Sequence, residues 1–481
     1  MTLTDQLQHI AQSLFGFYPE LYLVLFFLAV LILELSTRKN PEATRKLLVP
    51  CHWIGALGLL VLLVYQWFHT PDQVLFGQML SVDSKAVFFK IWIALAWLVT
   101  LFHIQKLRYE FQPELYLLLS GAVLGGLLLC MATNLLTLYL GIEFISLCSY
   151  LLVGLHKDIK SSEGSLKYLL FGGISSAVML YGISFLYGLT GTMEIAAALE
   201  TGLQNTPPLV LLVTSLLTLG GLLFKLSLIP FHIWTPDTYE ATPTPVVSFL
   251  SAVPKIGVLL VLSRLIHVLP LEVIPVLGGI ALISMTAGNV GALWQSNARR
   301  LMAYSTIAQA GYLIVGLLVL ESAGFHAATF YLSAYVILSM SAFLLMDLFA
   351  PQTDTRFSLY EGRGKEWPLG GAALTMVMVG LAGFPPTVGF TAKWLVFSSL
   401  WESYQGERWI LILLIGGILN AAISLVYYLK IPYLLFFKKT STEEGDFRAA
   451  PILAGLVVLL VLLLFVKPEL ILNPATEMFK F

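Results

Sequence analysis

VTSLLTLGGLLFKLSLIPFHIWTPDTYEATPTP, residues 213–245, decides how the chain is read. It is an apolar run long enough to cross a bilayer, yet Lys225 stands inside it and Pro230 follows five residues later. A lone lysine at bilayer depth costs roughly 2.5–3.5 kcal/mol even on the lenient insertion scale. A proline removes a backbone donor and frees a carbonyl that only protein or water can satisfy. A charge beside an interrupted helix therefore implies an internal wet cavity. GLAGFPPTVGFTAKWLVF, residues 380–397, repeats the arrangement: Pro385-Pro386 stops one half-helix, Gly389 permits a sharp turn, and Lys393 lies in the second half. Two such stretches in corresponding halves of a chain point to an ion path built on an internal repeat.

Composition agrees with a membrane setting. Hydrophobic residues make up 58% of the chain and charged residues only 11%, against about 25% charged in a soluble domain. Apolar runs of about 20 residues predict fourteen spans, near 18–36, 50–68, 84–105, 113–132, 134–155, 164–189, 208–232, 244–268, 271–294, 300–320, 324–349, 369–400, 408–437 and 450–470. The chain reads as an all-α polytopic membrane protein with broken helices at spans 7 and 12.

The basic residues test that count. Arg38, Lys39, Arg45, Lys46, Lys106, Arg108, Lys157, Lys160, Arg299, Arg300, Arg356, Arg363, Lys365, Lys438, Lys439 and Arg448 fall in loops that fourteen spans place on one side, whereas Arg408, Lys467 and Lys480 fall on the other. The positive-inside rule then puts both termini outside. Residues 1–17 carry no Lys or Arg, and the apolar run 21–35 ends in Glu34 and a basic loop rather than a cleavage site, so it reads as the first span and not as a signal peptide.

No loop is long enough for a soluble catalytic domain; the longest, about 350–368, has mixed charge. Redox or nucleotide chemistry belongs to another polypeptide. With a net charge of -1 there is no basic surface for nucleic acid. Cys51, Cys130 and Cys148 have no metal-ligand spacing and read as small buried hydrophobes. Gly121 and Gly125 form a small-xxx-small pair that reads as close helix packing, as do Gly172-Gly173 and Gly220-Gly221.

Two further ionisable residues lie inside spans. Glu143 sits near the centre of TNLLTLYLGIEFISLCSYLLVGL, residues 133–155, where a carboxylate is either neutral or paired, with Lys225 the cation to hand. Lys255 follows Pro254 in PVVSFLSAVPKIGVLLVLSRL, residues 245–265, as a lysine able to lose and regain a proton. His232 is either a relay or a satisfied polar contact. Asp237 and Glu240 are partly solvated, or cap the next helix.

FKLSLIPFHIWTPDTYEATPTPVVSFLSAVPK, residues 224–255, and EGSLKYLLFGGISSAVMLYGISFLYGLTG, residues 163–191, resemble the N-subunit family (NuoN) of bacterial respiratory complex I, the NADH-quinone oxidoreductase. The likeness extends over about residues 110–440. It implies an antiporter-like fold with two inverted five-helix repeats, and puts the family's essential glutamate and lysines on Glu143, Lys225, Lys255 and Lys393, with Lys167 as the further lysine of the sixth span. A lysine in the twelfth span fits N; the similar M subunit has a glutamate there. Ending at Phe481 without the long lateral helix of the L subunit points the same way. The implied layout is a three-helix segment over 1–110, repeats over 111–268 and 269–440, and a C-terminal helix and tail over 441–481. The implied function is proton translocation by a subunit without cofactor or metal, beside partner subunits holding NADH, FMN, iron–sulfur clusters and quinone, in the bacterial inner membrane. Glu143 and Lys225 would form an input pair, Lys255 would pass the proton laterally, and Lys393 would release it. An Mrp-type cation/proton antiporter subunit and an assembly scaffold are the alternative readings.

Overall fold

The computed structural model describes residues 3–70, 72–107, 109, 112–195, 203, 206–350, 356–439 and 448–477. Arg108 and Lys480, used in the charge argument, lie outside them, as does part of the 350–368 loop. In chain order the helices are α1 (Leu3–Gly16), α2 (Tyr18–Thr37), α3 (Pro41–His69), α4 (Ser84–Leu107), α5 (Pro113–Met131), α6 (Leu135–Val153), α7 (Ile159–Thr190), α8 (Pro208–Leu226), α9 (Trp234–Ala241), α10 (Thr244–Ile266), α11 (Val273–Leu293), α12 (Ala298–Leu318), α13 (Ser322–Phe349), α14 (Arg363–Glu366), α15 (Pro368–Ala382), α16 (Val388–Glu402), α17 (Arg408–Tyr428), α18 (Lys430–Phe437), α19 (Pro451–Val466) and α20 (Glu469–Glu477). A hairpin of β1 (Gln73–Leu75) and β2 (Leu80–Val82) precedes α4, pairing Gln73 with Val82 and Leu75 with Leu80.

Helices dominate because a bilayer offers no partner to a free N–H or C=O, and only the helix satisfies both within one segment. Their starts carry local signals. Asn40, Asn134 and Asn297 accept from the first free amides of α3, α6 and α12, and Asp83 does so for α4 at 2.6 Å. Pro41, Pro113 and Pro368 stand where no amide is needed.

The chain divides into two compact units. The first comprises Met1–Asp158, Leu169–Leu222 and Val253–Pro270. In it α5 and α6 pack through glycine. A Cβ on Gly125 would lie 2.9 Å from the Ile145 amide nitrogen, and one on Gly141 3.1 Å from Leu129 Cα. A Cβ on Gly121 would lie 3.0 Å from Cys148 Sγ, so this small-residue stripe is a packing seam, as expected. The second unit comprises Ile159–Tyr168, Leu223–Ala252 and Leu271–Phe481. There α11 and α12 approach through Gly288 and Gly311, whose Cβ positions would meet Ala308 N at 2.6 Å and Ala281 O at 2.7 Å. Buried α12 and α13 form its core.

Among the described residues twelve helices are long and apolar enough to span a membrane, and up to thirteen if the pair bent by 58° at the C-terminus counts as one. The expected span 369–400 is carried instead by two fifteen-residue pieces, α15 and α16.

Both expected breaks exist, but their cause differs from the one the prolines suggest. α8 stops at Leu226, four residues before Pro230, and α15 stops at Ala382, before Pro385. Each ends in a residue of left-handed conformation, Ser227 (φ 64) and Gly383 (φ 85). In each, that residue's amide and the next one reach back to close the helix: Ser227 N to Phe224 O and Leu228 N to Leu223 O, Gly383 N to Gly380 O and Phe384 N to Val379 O. These are Schellman ends. A cis proline follows at the same offset, Pro230 and Pro386. Gly389 does not make the turn. It lies in α16, where a Cβ would run into the Gly380 carbonyl, so its role is close approach.

Candidate functional site: buried cations at two helix breaks

Lys225 lies one residue from the end of α8 and is 3% exposed. Its Nζ donates to the Tyr168 hydroxyl at 3.1 Å and stands 5.1 Å from the centre of that ring and 5.6 Å from that of Phe224. Tyr168 is itself held flat against Trp234, with centroids 4.1 Å apart and planes 13° apart. Trp234 opens α9, so the helix after the break supplies the back wall of the lysine's aromatic pocket. His232 is half-buried in the turn between the two helices.

A charged rim in the same unit joins α7, α9 and α12. Lys167 is held by Glu163 and Asp237, both at 2.7 Å, and Arg300 bridges Asp237 and Glu240, both at 2.8 Å. Burial pushes the Asp237 carboxyl up, but the hydrogen bonds from Lys167 and Arg300 outweigh it and hold the group below the usual carboxylate range. Asp237 and Glu240 are partly solvated, as expected, and they serve ion pairs rather than a cap on α10. Lys167 is 39% exposed. An open cleft lined by Lys160, Glu163, Gly164, Lys167, Asp237, Glu240, Ala241 and Arg300 runs along the rim. Arg299, expected in a loop, is instead in the first turn of α12, buried, with its guanidinium donating to Thr242 O at 2.6 Å.

Lys393 projects from the second turn of α16, 5% exposed. Its Nζ donates at 2.7 Å to the Ala382 carbonyl, one of those left free where α15 ends. The ammonium lies 4.5 Å from the centre of the Tyr312 ring. No carboxylate among the described residues pairs with it. Beside it is a small cavity lined by Gln309, Tyr331, Tyr335 and Gly389, with room for about one water molecule. Gln309 is fixed on all sides: it accepts from the Tyr331 hydroxyl and donates to Leu381 O at 2.8 Å and to the Tyr428 hydroxyl at 2.9 Å. Tyr335 exchanges a hydrogen bond with Thr306 at 3.1 Å. Hydrogen-bonded polar groups thus share the lining of the cavity beside the lysine with Ala334, Leu338 and Leu381.

In the first unit, Glu143 is half-buried on α6 and accepts a hydrogen bond from Ser176 Oγ. Lys255 is 1% exposed on α10, which runs through Pro254 without interruption. The unit also holds an ion pair that the sequence reading missed. Lys90 on α4 donates to Glu20 on α2 and to Gln66 on α3, both at 2.8 Å, and both charged side chains are fully enclosed. Lys90 carries the signal that marked Lys225, an isolated charge inside an apolar run, without a neighbouring proline. Arg264, at the end of α10, binds the Cys130 and Ala132 carbonyls at 2.9 and 2.8 Å and Asp83 at 3.0 Å. Among the described residues no cluster of three His, Cys, Asp or Glu side chains could hold a metal; no disulfide joins the cysteines, of which Cys130 is buried as expected whereas Cys51 and Cys148 are only half-buried.

The arrangement matches known proteins. Residues 132–423 match the family described as NADH:quinone oxidoreductase/Mrp antiporter, transmembrane. NADH-quinone oxidoreductase subunit N 2 of Chloroherpeton thalassium is 35% identical over 471 residues, covering 93% of this chain and 90% of that protein. A chain of respiratory complex I from Thermus thermophilus, solved with bound aureothin, superposes with a TM-score of 0.80 at 30% identity over 95% of this chain and 98% of that one. A chain of the Mrp complex from Dietzia superposes with a TM-score of 0.82 over 96% and 97%, at 17% identity, which speaks to the fold alone. This chain belongs to the NADH:quinone oxidoreductase/Mrp antiporter transmembrane family, and within it stands with the subunit N proteins.

Proposed function

We propose that this chain is a proton-translocating membrane-arm subunit of an NADH-quinone oxidoreductase, itself without a redox centre. NADH, FMN, iron–sulfur clusters and quinone belong to its partner subunits. The observation that carries the reading is Lys393: an ammonium enclosed at a broken helix, with one carbonyl, one ring face and a water-sized cavity for company. A lysine so placed can exchange its proton with water and is not tied to a carboxylate. Lys225 lies at the other break, against Tyr168 and Phe224. In this reading Glu143 and Lys225 act at the input step, Lys255 carries the proton onward, Lys393 releases it, and His232 and Lys167 are secondary. Against about 200 mV each proton requires roughly 4.6 kcal/mol, so the energy comes from quinone reduction elsewhere in the complex.

The two similar Schellman ends support two inverted repeats, over 111–268 and 269–440, flanked by the 1–110 and 441–481 segments, and up to thirteen apolar spans together with the broken α15–α16 pair support fourteen spans. The distribution of basic residues supports a bacterial inner-membrane setting with both termini on the outer side. An Mrp-type antiporter subunit has the weaker claim, because the likeness to that complex is one of fold at 17% identity whereas subunit N relatives reach 35%.

The test uses Lys393→Arg and Lys393→Ala in the whole complex reconstituted into vesicles. Arginine keeps its proton at any accessible pH, so a carrier site fails in both variants, with coupled proton uptake falling at least tenfold at normal assembly. Wild-type pumping by Lys393→Arg alone would make Lys393 a fixed electrostatic element.

A further inference from the structure

We propose that Tyr168 and Tyr312 are the positioning residues of the two break lysines, aromatic seats that hold each ammonium in place while adding no charge of their own. The inference deepens the reading above and rests on Lys225 and Lys393 being proton carriers.

The two seats share one plan, built from different elements. In the first, the face and hydroxyl of Tyr168 on α7 meet Lys225 of α8, at 5.1 Å to the centroid and 3.1 Å to the oxygen. In the second, the face of Tyr312 on α12 meets Lys393 of α16 at 4.5 Å, and the Ala382 carbonyl supplies the oxygen at 2.7 Å. Both distances lie inside the range over which a ring quadrupole attracts a cation. Each therefore offers its lysine a ring face and one neutral oxygen.

Both rings are immobilised by contacts that do not involve the lysine. Tyr168 is 1% exposed, stacked on Trp234 and tilted against Phe224 at 5.7 Å. Its neighbour Lys167 is tied to Asp237 of α9, so the salt bridge and the stack fix α7 against the same short helix. Tyr312 is 1% exposed, packs edge-on to Phe397 at 6.3 Å, and spends its hydroxyl on the Gly417 carbonyl at 3.3 Å. Because that hydroxyl points elsewhere, only the ring face serves Lys393.

The chemistry explains the choice of residue. At Lys393, where no carboxylate among the described residues pairs with the ammonium, a carboxylate partner would hold the proton more firmly and would be left as a buried unpaired anion once the lysine let go. A ring face stabilises the ammonium and leaves nothing charged behind when the proton departs. The seat also keeps a long, flexible side chain in one place through the cycle, so that the neutral amine is recharged where it was discharged.

The experiment measures the pH dependence of coupled proton uptake in the reconstituted complex, normalised to assembled subunit. Tyr312→Phe keeps the face and should behave as wild type, whereas Tyr312→Leu should move the alkaline limb of the profile to lower pH by roughly half a unit to one unit. Tyr168→Phe loses only the hydroxyl and should shift less than Tyr168→Leu. Should a leucine variant fail to assemble, phenylalanine with one, two and three ring fluorines at position 312 weakens the face at constant shape, and the limb should move in step with fluorination. Wild-type profiles in assembled leucine variants, or no trend across the fluorinated series, would overturn the proposal. Lys225→Ala and Lys393→Ala serve as controls. If these pump normally, it is the carrier reading that fails; if they are inactive while the tyrosine variants are unaffected, only the seats are wrong.

Discussion

A buried ammonium facing a ring and a carbonyl is chemically unlike one locked to a carboxylate, and this chain contains both kinds. Lys90 belongs to the second. Removing one partner of such a pair strands the other charge, at a cost of about 3–5 kcal/mol, whereas replacing both with apolar groups is often close to neutral. Lys90→Met and Glu20→Gln should each lower the thermal midpoint of the assembled complex, and the double substitution should recover most of the loss; a double variant as unstable as the sum of the singles would refute the pair's structural role. Glu143 is different again, half-buried with Ser176 as its donor. Glu143→Gln keeps the shape and the hydrogen-bonding capacity but not the charge, so it should reduce coupled proton uptake several-fold at normal assembly. Lys225 and Lys393 were legible in the sequence because proline stood close to an isolated charge. Lys90 lacks that neighbour, and Glu20, three residues into α2, reads as an ordinary first-turn acid.

The helix breaks show which part of an element a sequence can reveal. Proline announces that a helix has ended nearby, but the ending is made earlier, by the residue that turns left-handed. Ser227 gives no sign of that role, since a side chain normally disfavours it by about 1–2 kcal/mol. Ser227→Gly should therefore raise the thermal midpoint of the complex by relieving that conformation, and Gly383→Ala should lower it while pressing a new methyl onto the side chain of Lys393, whose Cε is 3.1 Å from the ideal Cβ position. Equal and unchanged midpoints for both variants would mean that the two ends tolerate any residue. Superposing the ends on Ser227 and Gly383 also puts Lys225 opposite Leu381 and Asp237 opposite Lys393. Lys225 precedes its left-handed residue Ser227 and Lys393 follows Gly383, so the two lysines stand on opposite sides of their helix ends.

For the chain as a whole, the all-helical membrane class was plain from hydropathy, and twelve apolar helices follow most of the expected spans, while the partners within the bilayer were not legible, because they come from helices distant in sequence. Membrane orientation can be probed beside α12. Arg299 is enclosed within α12, so a label should instead be placed at Ser296, which is exposed just before that helix. Ser296→Cys should react with an impermeant maleimide only from the cytoplasmic side of sealed vesicles, and reaction from outside would invert the topology. The pair Glu20 and Lys90 bears on biosynthesis as well. They are 70 residues apart, and a ribosome adding about 5–20 residues per second needs roughly 4–14 seconds to cover that distance. For that interval the newborn α2 carries an acid whose cation has not yet been made. It must either cross the insertion machinery protonated or linger there until α4 arrives, which makes the first ninety residues a single delivery rather than three successive ones.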